Sequence, residues 1–283
     1  MEDIVIGNQE KLEEIKKSIS QAGAKRMHVL ADFDRTLTKA HVDGKNMPSI
    51  MAILRDGSYL TPDYAKKAQE LYDKYHPFEV DLKISIGDKK NAMHKWWTEH
   101  FDLVIRSGLN KKDIEKVVET GKIRFRQGFN DFIDILRLNN IPLVIMSSSG
   151  LGRDAISMCF EKEKASYNNI HIISNSYIWD EKGNAISVKE PIIHAMNKDE
   201  TVIKDFPVYE LIKERKNVLL LGDNLEDIGM IQGFDYENLI KIGFLNEKVE
   251  ENLETYKTNY DIVVLNDSSF NYINNLLNEL INN

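Results

Sequence analysis

Three short apolar runs, each stopping abruptly at polar residues, constrain this chain more than any other feature. Met27-His28-Val29-Leu30-Ala31 runs into Asp32-Phe33-Asp34, Ile141-Pro142-Leu143-Val144-Ile145-Met146 into Ser147-Ser148-Ser149-Gly150, and Val218-Leu219-Leu220-Leu221 into Gly222-Asp223. Runs this short, without polar alternation, read as strands covered on both faces, as in a parallel sheet flanked by helices. Residues 239–242 and 262–265 read as further strands, and 8–22 as an amphipathic helix with Leu12, Ile15, Ile19 and Ala22 at helical spacing. Residues 171–174, then 177–180 and 185–188 around Lys182-Gly183-Asn184, read as a strand and β-hairpin appended to that core. The expected class is α/β with a mostly parallel sheet. Open sheets of this kind place ligands beyond the carboxyl ends of their strands, and all three runs end there in polar residues.

The distance between the first two runs sets the domain organisation. Asp32 and Ser148 lie 116 positions apart, whereas a simple strand–helix–strand crossover takes about 30 residues. Helical patterns at 63–75, 91–105 and 111–120 fill the interval. A helical cap over 46–125 is therefore expected, inserted into a core formed by 1–45 and 126–283. A lid over the strand ends would exclude water and select substrates.

Composition narrows the partners. The chain has 283 residues and a net charge of -8, which argues against a nucleic-acid or acidic-membrane surface but leaves room for a small anionic substrate. Its one cysteine, Cys159, allows neither an internal disulfide nor a cysteine-based zinc site. Met1-Glu2-Asp3-Ile4 lacks the basic and apolar regions of a signal peptide, and no apolar run approaches the roughly 20 residues that span a bilayer. A cytoplasmic, monomeric protein is expected.

The chemistry is concentrated where the runs end. Asp32 and Asp34, one residue apart past a buried strand, suit phosphoryl transfer: one carboxylate attacks phosphorus, and the other protonates the leaving oxygen and later activates water. Alone, Asp-x-Asp is as commonly a turn or cap. A carboxylate facing a phosphate dianion is repelled, so a cation is needed, and oxygen ligands favour Mg²⁺. Asp223, in Gly222-Asp223-Asn224-Leu225-Glu226-Asp227, is the candidate direct ligand. Asp227 would act indirectly, holding a metal-bound water or orienting Lys198. Ser148 and Ser149, with free amides at a helix start, suit phosphate oxygens, although serine is also an ordinary N-cap. Lys198 would offset the nucleophile and the phosphate.

The order Asp-x-Asp-x-Thr, Ser, Lys, Gly-Asp-x-x-x-Asp resembles the haloacid-dehalogenase superfamily. The similarity extends to its cytosolic 5′-nucleotidase type III family (pyrimidine and 7-methylguanosine nucleotidases). It is carried by Asp32-Phe33-Asp34-Arg35-Thr36-Leu37-Thr38, Phe78-Glu79-Val80-Asp81, Ser148-Ser149-Gly150-Leu151-Gly152, His194-Ala195-Met196-Asn197-Lys198, Leu220-Leu221-Gly222-Asp223 and Ile240-Lys241-Ile242-Gly243-Phe244-Leu245-Asn246. The last stretch has no catalytic rationale of its own and so speaks for kinship. The resemblance implies a Rossmann-like core with an inserted cap, and a Mg²⁺-dependent nucleoside 5′-monophosphatase working through an aspartyl phosphate. It implies Asp32 as nucleophile and Asp34 as acid/base. Asp32, the Asp34 carbonyl and Asp223 would hold Mg²⁺, and Ser148, Ser149 and Lys198 the phosphate. Glu79 and Trp97 match the family's base-binding glutamate and stacking aromatic, and His100 falls beside them.

Met93, Trp97, Phe101 and Val104 also fall at helical spacing, so packing explains most of that stripe. Trp96-Trp97 resembles the 7-methylguanosine branch more than the pyrimidine branch, and a Trp face suits a positively charged methylated purine. Three departures stand out: Ser149 where the family usually has alanine, Arg35, expected to point at solvent, and Glu226 in place of a small residue. The alternatives are a nucleoside phosphotransferase, a phosphatase of another small ester such as a phosphoserine, and a non-catalytic relative.

Overall fold

The computed structural model describes residues 3–81, 83–198, 203–204, 206–232 and 235–282, without the side chain of residue 80. Along the chain the strands are β1 (Ile4–Ile6), β2 (Met27–Ala31), β3 (His41–Val42), β4 (Lys45–Asn46), β5 (Leu143–Ser147), β6 (Ile170–Ser174), β7 (Tyr177–Trp179), β8 (Ala185–Val188), β9 (Asn217–Gly222), β10 (Asn238–Leu245) and β11 (Ile262–Leu265). The helices are α1 (Gln9–Ala22), α2 (Ile50–Asp56), α3 (Tyr64–Val80), α4 (Ile86–Arg106), α5 (Lys111–Glu119), α6 (Phe129–Leu138), α7 (Gly152–Lys162), α8 (Val208–Ile212), α9 (Val249–Asn259) and α10 (Asn271–Ile281).

A seven-stranded sheet in the order β1-β11-β10-β9-β2-β5-β6 forms the centre, parallel throughout except for β1 at its edge. Every residue of β2, β5 and β9 is buried, as expected for strands covered on both faces. Alternation sorts them between two cores. Val29, Ala31, Leu143, Ile145, Leu219 and Leu221 pack on one face, and Leu30, Val144, Met146, Val218 and Leu220 on the other.

The strand at 170–174 differs from its expectation. It is not appended but pairs in parallel with β5 as the sheet's edge, and only β7 and β8 form a separate antiparallel pair. The short β1 strand and the β3–β4 hairpin carry too few residues to show periodicity.

Between β2 and β5 lie α2, α3, α4 and α5. Local chemistry starts three of them: Ser49 caps Ala52, Ser85 caps Asp88, and Asn110 forms a capping box with Asp113. Helix α4 packs on α3, on β8 and on the 3-10 turn Ala195–Asn197, while α5 packs on α2 and α7. Met93, Phe101 and Val104 are buried along α4, whereas Trp97 stays half-exposed. Among the described residues, no helix is long and apolar enough to cross a membrane.

Candidate active site

Strands β9, β2 and β5 are neighbours, and Ala31 pairs with Leu221 on one side and Ile145 on the other. The three strands therefore run out together, which brings Asp32, Ser148 and Asp223 to one edge of the sheet. The backbone N–H of Asp32 donates to the carbonyl of Leu221 at 3.0 Å, a last ladder bond that fixes where its side chain emerges.

The centre is a Lys198 ammonium held between two carboxylates. Its Nζ donates to Asp32 Oδ1 at 2.5 Å and to Asp227 Oδ1 at 3.1 Å, and all three side chains are buried. Burial alone pulls Lys198 down, but Asp227 and Asp32 outweigh it and hold the ammonium well above its ordinary value. The other oxygen of Asp227 accepts the backbone N–H groups of Asp223 and Asn224, each at 3.1 Å. Asp227 thus orients both Lys198 and the Asp223 turn. Gly222 makes this possible, because a Cβ there would lie 2.4 Å from the Asp227 Cβ. The Leu225–Ile231 3-10 segment keeps its capping box between Asn224 and Asp227 although Glu226 sits within it.

Electrostatics mark the cluster as built for a cation. Burial, with repulsion from Asp227 and Asp34, pushes Asp32 up to about 7 despite Lys198. Burial pushes Asp34 up to about 6 against the pull of Lys198 and Arg35. Asp223 rises well above the usual carboxylate range through burial and the charges of Asp32 and Asp227. Carboxylate oxygens of Asp32, Asp223 and Asp227 lie within 4.8 Å of one another. An all-oxygen set this close, with Asp32 and Asp223 raised first by burial and then by neighbouring carboxylates, fits a hard divalent ion.

The serine loop differs in part from expectation. The N–H groups of Gly152 and Arg153 at the start of α7 are already engaged, by the carbonyls of Ser149 and Asn175 at 3.1 and 2.8 Å. These two amides are therefore not free for an anion, unlike the expectation of free amides at this helix start. Ser148 is half-buried; Ser149 is buried, its N–H on Ser147 Oγ at 3.2 Å. Asn175 escapes sequence reading, as one Asn after a strand carries no signal. Its buried amide donates to the carbonyls of Ser149 and Ile193 and accepts from the N–H of Ile193, tying the serine loop to the segment that bears Lys198.

Two further expectations change. Arg35 does not simply face solvent; it pairs with Glu247 at 3.1 Å. The stretch at 240–246 has a direct structural role, because Asn246 Nδ2 donates to the carbonyl of Arg35 in the turn after Asp34.

Trp97 reaches the serine loop from α4. A Cβ on Gly150 would meet Trp97 Cζ3 at 2.9 Å and Met51 Sδ at 3.0 Å. Trp96 stacks near Trp97 with ring centroids 6.3 Å apart, and near Tyr75 at 6.2 Å. His100 lies 5.7 Å from the Trp97 ring with Nε2 3.2 Å from the Tyr64 hydroxyl, and burial lowers it to about 4, so it is neutral near pH 7. Glu79 ends α3 half-buried, its carboxylate 3.2 Å from His76 Nδ1 and its carbonyl accepting Lys89 Nζ at 2.8 Å.

A family model described as pyrimidine 5′-nucleotidase (UMPH-1) matches residues 35–281, beginning just past the two aspartates. The 7-methylguanosine phosphate-specific 5′-nucleotidase of Mus musculus is 34% identical over 272 residues, 96% of this chain and 90% of the relative. The Homo sapiens protein of that description is 33% identical over the same shares of each chain. The crystal structure of cytosolic 5′-nucleotidase IIIB bound to cytidine superposes with a TM-score of 0.85 at 26% identity, covering 98% of this chain and 92% of that one. A substrate-bound phosphoserine phosphatase shares the fold alone, with a TM-score of 0.50 at 17% identity over 87% of this chain and 95% of that one. A sequence match over most of the length, joined to a lysine-bridged carboxylate cluster at the strand ends, leads to one conclusion: this chain belongs to the pyrimidine 5′-nucleotidase (UMPH-1) family and is a hydrolase of the 5′-nucleotidase class.

Proposed function

We propose that this protein hydrolyses nucleoside 5′-monophosphates, 7-methylguanosine and cytidine monophosphate among them, with Mg²⁺ as cofactor and Asp32 as nucleophile. The observation that carries the reading is Lys198 pinned between Asp32 and Asp227 at the end of β2. An ammonium held against a buried carboxylate favours its ionised form, which suits a nucleophile that meets a phosphate dianion. The base preference rests on two supports: relatives described as 7-methylguanosine phosphate-specific at 34% and 33% identity, and the Trp96–Trp97 pair on α4.

Asp32 and Asp223 would hold the ion, joined by the backbone carbonyl of Asp34, while Asp227, with both oxygens engaged, acts through Lys198 and the Asp223 turn. When bound, the ion supplies positive charge that offsets the repulsion between Asp32 and the phosphate dianion. Asp32 attacks phosphorus as the bond to the nucleoside oxygen breaks. Asp34, raised to about 6, donates its proton to that oxygen. Asp34 then takes a proton from water, which attacks the aspartyl phosphate and returns Asp32 as a carboxylate with inorganic phosphate. Ser148, Ser149 and Lys198 hold the phosphate, while Trp97, Glu79 and His100 face the base. Residues 46–125 act as the cap over the strand ends, supported by the packing of Trp97 on Gly150 and of α4 on the turn that precedes Lys198. One chain supplies every group named here, which supports a monomer, and relatives described as cytosolic 5′-nucleotidases support a cytoplasmic setting.

The test is phosphate release from cytidine, uridine and 7-methylguanosine monophosphates with Mg²⁺, by the native protein and by Asp32→Asn. Release from at least one, lost in the variant, is expected. Folded native protein inert on all three would end the reading, and an active Asp32→Asn would end the nucleophile assignment.

A further inference from the structure

The geometry points to Arg126 as the positioning residue for Asp34: its buried guanidinium, braced by Asn246 and Asp267, holds the 35–41 segment that aims the Asp34 carboxyl at the leaving oxygen. The inference rests on the acid role proposed for Asp34.

The Arg126 side chain is 0% exposed and lies between α5 and α6, far in sequence from everything it holds. Nε donates to the carbonyl of Thr36 at 2.8 Å, and Nη2 to the carbonyl of Arg35 and to Asn246 Oδ1. Nη1 donates to the carbonyl of Ser268 at 3.0 Å and meets Asp267 Oδ1 at 2.9 Å. A guanidinium has about five N–H donors, and five acceptors surround this one. The group also lies 4.3 Å from the centroid of Phe244.

Two of the three carbonyls it holds, those of Arg35 and Thr36, belong to the residues directly after Asp34. Arg35 sits there at φ 59°, a left-handed conformation that a non-glycine residue keeps only where its surroundings over-determine it. The surroundings do so. Asn246 Nδ2 donates to the same Arg35 carbonyl at 3.1 Å, and Thr38 Oγ1 accepts the Arg35 N–H at 2.9 Å. Asp267, the counter-ion of Arg126, accepts the N–H groups of Ala40 and His41 at 2.8 and 3.1 Å, where the β3–β4 hairpin begins. Backbone bonds from Lys39 to Arg124 and from Arg126 to Leu37 dock the two segments side by side. Three side chains from three distant segments thus determine one turn. A core that needed only filling would take an apolar residue at lower desolvation cost. The planar fork instead sets direction, which the single ammonium of lysine cannot reproduce.

Proton donation matters most when the leaving group is a poor one. A nucleoside alkoxide needs Asp34 in place, whereas p-nitrophenolate departs without a donated proton. First-turnover rates with a nucleoside monophosphate and with p-nitrophenyl phosphate therefore separate positioning from plain stability. Asp34→Asn serves as control and should lower the nucleotide rate by about 10²–10⁴-fold while sparing the p-nitrophenolate burst. In folded Arg126→Lys we expect the same selectivity, with the nucleotide rate down about 10–100-fold, the burst within about 2-fold, and KM little changed. Should Arg126→Lys not fold, Asn246→Ala removes one hold on the Arg35 carbonyl and should show the same selective loss. Parallel losses on both substrates, or no loss on either, would overturn the positioning role. If Asp34→Asn itself fails to discriminate the two leaving groups, the acid assignment falls instead.

Discussion

At the residue scale, Asp32 and Asp223 show how a site stores its need for a ligand. Each is a carboxylate whose neighbours are mostly other carboxylates, and burial raises both. Protons and a divalent ion therefore compete for the same oxygens. With Asp32 at about 7 and Asp223 raised as well, the apparent affinity for Mg²⁺ should tighten steadily as pH rises from 6 to 8. Metal titrations followed by tryptophan fluorescence at several pH values would read this directly, and an affinity independent of pH would contradict it. That Asp32 and Asp223 come together is legible in the sequence because the ends of adjacent parallel strands fall at one edge, whereas Lys198, one lysine among many, is read only as the charge left to offset them. The holds on these residues are not legible. Asn175 and Arg126 act through backbone carbonyls, and a carbonyl has no side-chain identity for a pattern to register.

At the scale of elements, α4 makes two kinds of contact, an apolar core on one side and the serine loop on the other, and the proposed function makes the second the one that faces substrate. Met93, Phe101 and Val104 face inward, and Trp97 lies one helical step away against Gly150. Periodicity locates such a helix but cannot say which position on its stripe looks into a cleft, because packing and stacking both favour aromatic residues. Trp97→Ala tests the distinction. Loss of base stacking, about 1–3 kcal/mol, should raise KM for nucleotides by roughly 5- to 150-fold and leave KM for p-nitrophenyl phosphate nearly unchanged. Equal effects on both substrates would make Trp97 a packing residue. The 171–174 run illustrates the complementary difficulty. Its residues read as a strand, but its place at the sheet edge beside β5 depends on a non-local register that no local pattern states.

For the molecule as a whole, the active site and the fold pull in opposite directions. Raised carboxyls such as Asp32 and Asp34 bind protons in the folded state that the unfolded chain has released. Their contribution to stability is complete at low pH and is lost as pH rises through about 6 to 7. His28, lowered by burial to about 4, works the other way: its contribution is present above its ordinary value near 6.5 and is lost as pH falls through about 4. Above pH 7 the ionised carboxylate cluster is a standing cost, and under the proposed function a bound divalent ion would remove it. Asp223→Asn should therefore raise the Tm of the metal-free protein at pH 8 by a few degrees, on the order of 1 kcal/mol, and abolish the rise that Mg²⁺ gives the native chain. Calorimetry with and without Mg²⁺ checks both effects; a variant still stabilised by the ion would remove Asp223 from the metal site. The sequence by itself determined the class of sheet, the helical interval between β2 and β5, and the carboxylates at the strand ends, because burial periodicity and strand-end chemistry are written locally; Lys198 followed only from the order of the motifs. Only the tertiary structure decided that Arg126, Asn246 and Asp267 converge on the turn after Asp34, that Asp227 serves Lys198 with one oxygen and the Asp223 turn with the other, and that Trp97 lies on the serine loop. Those are contacts between segments far apart along the chain, fixed by how the layers close on one another.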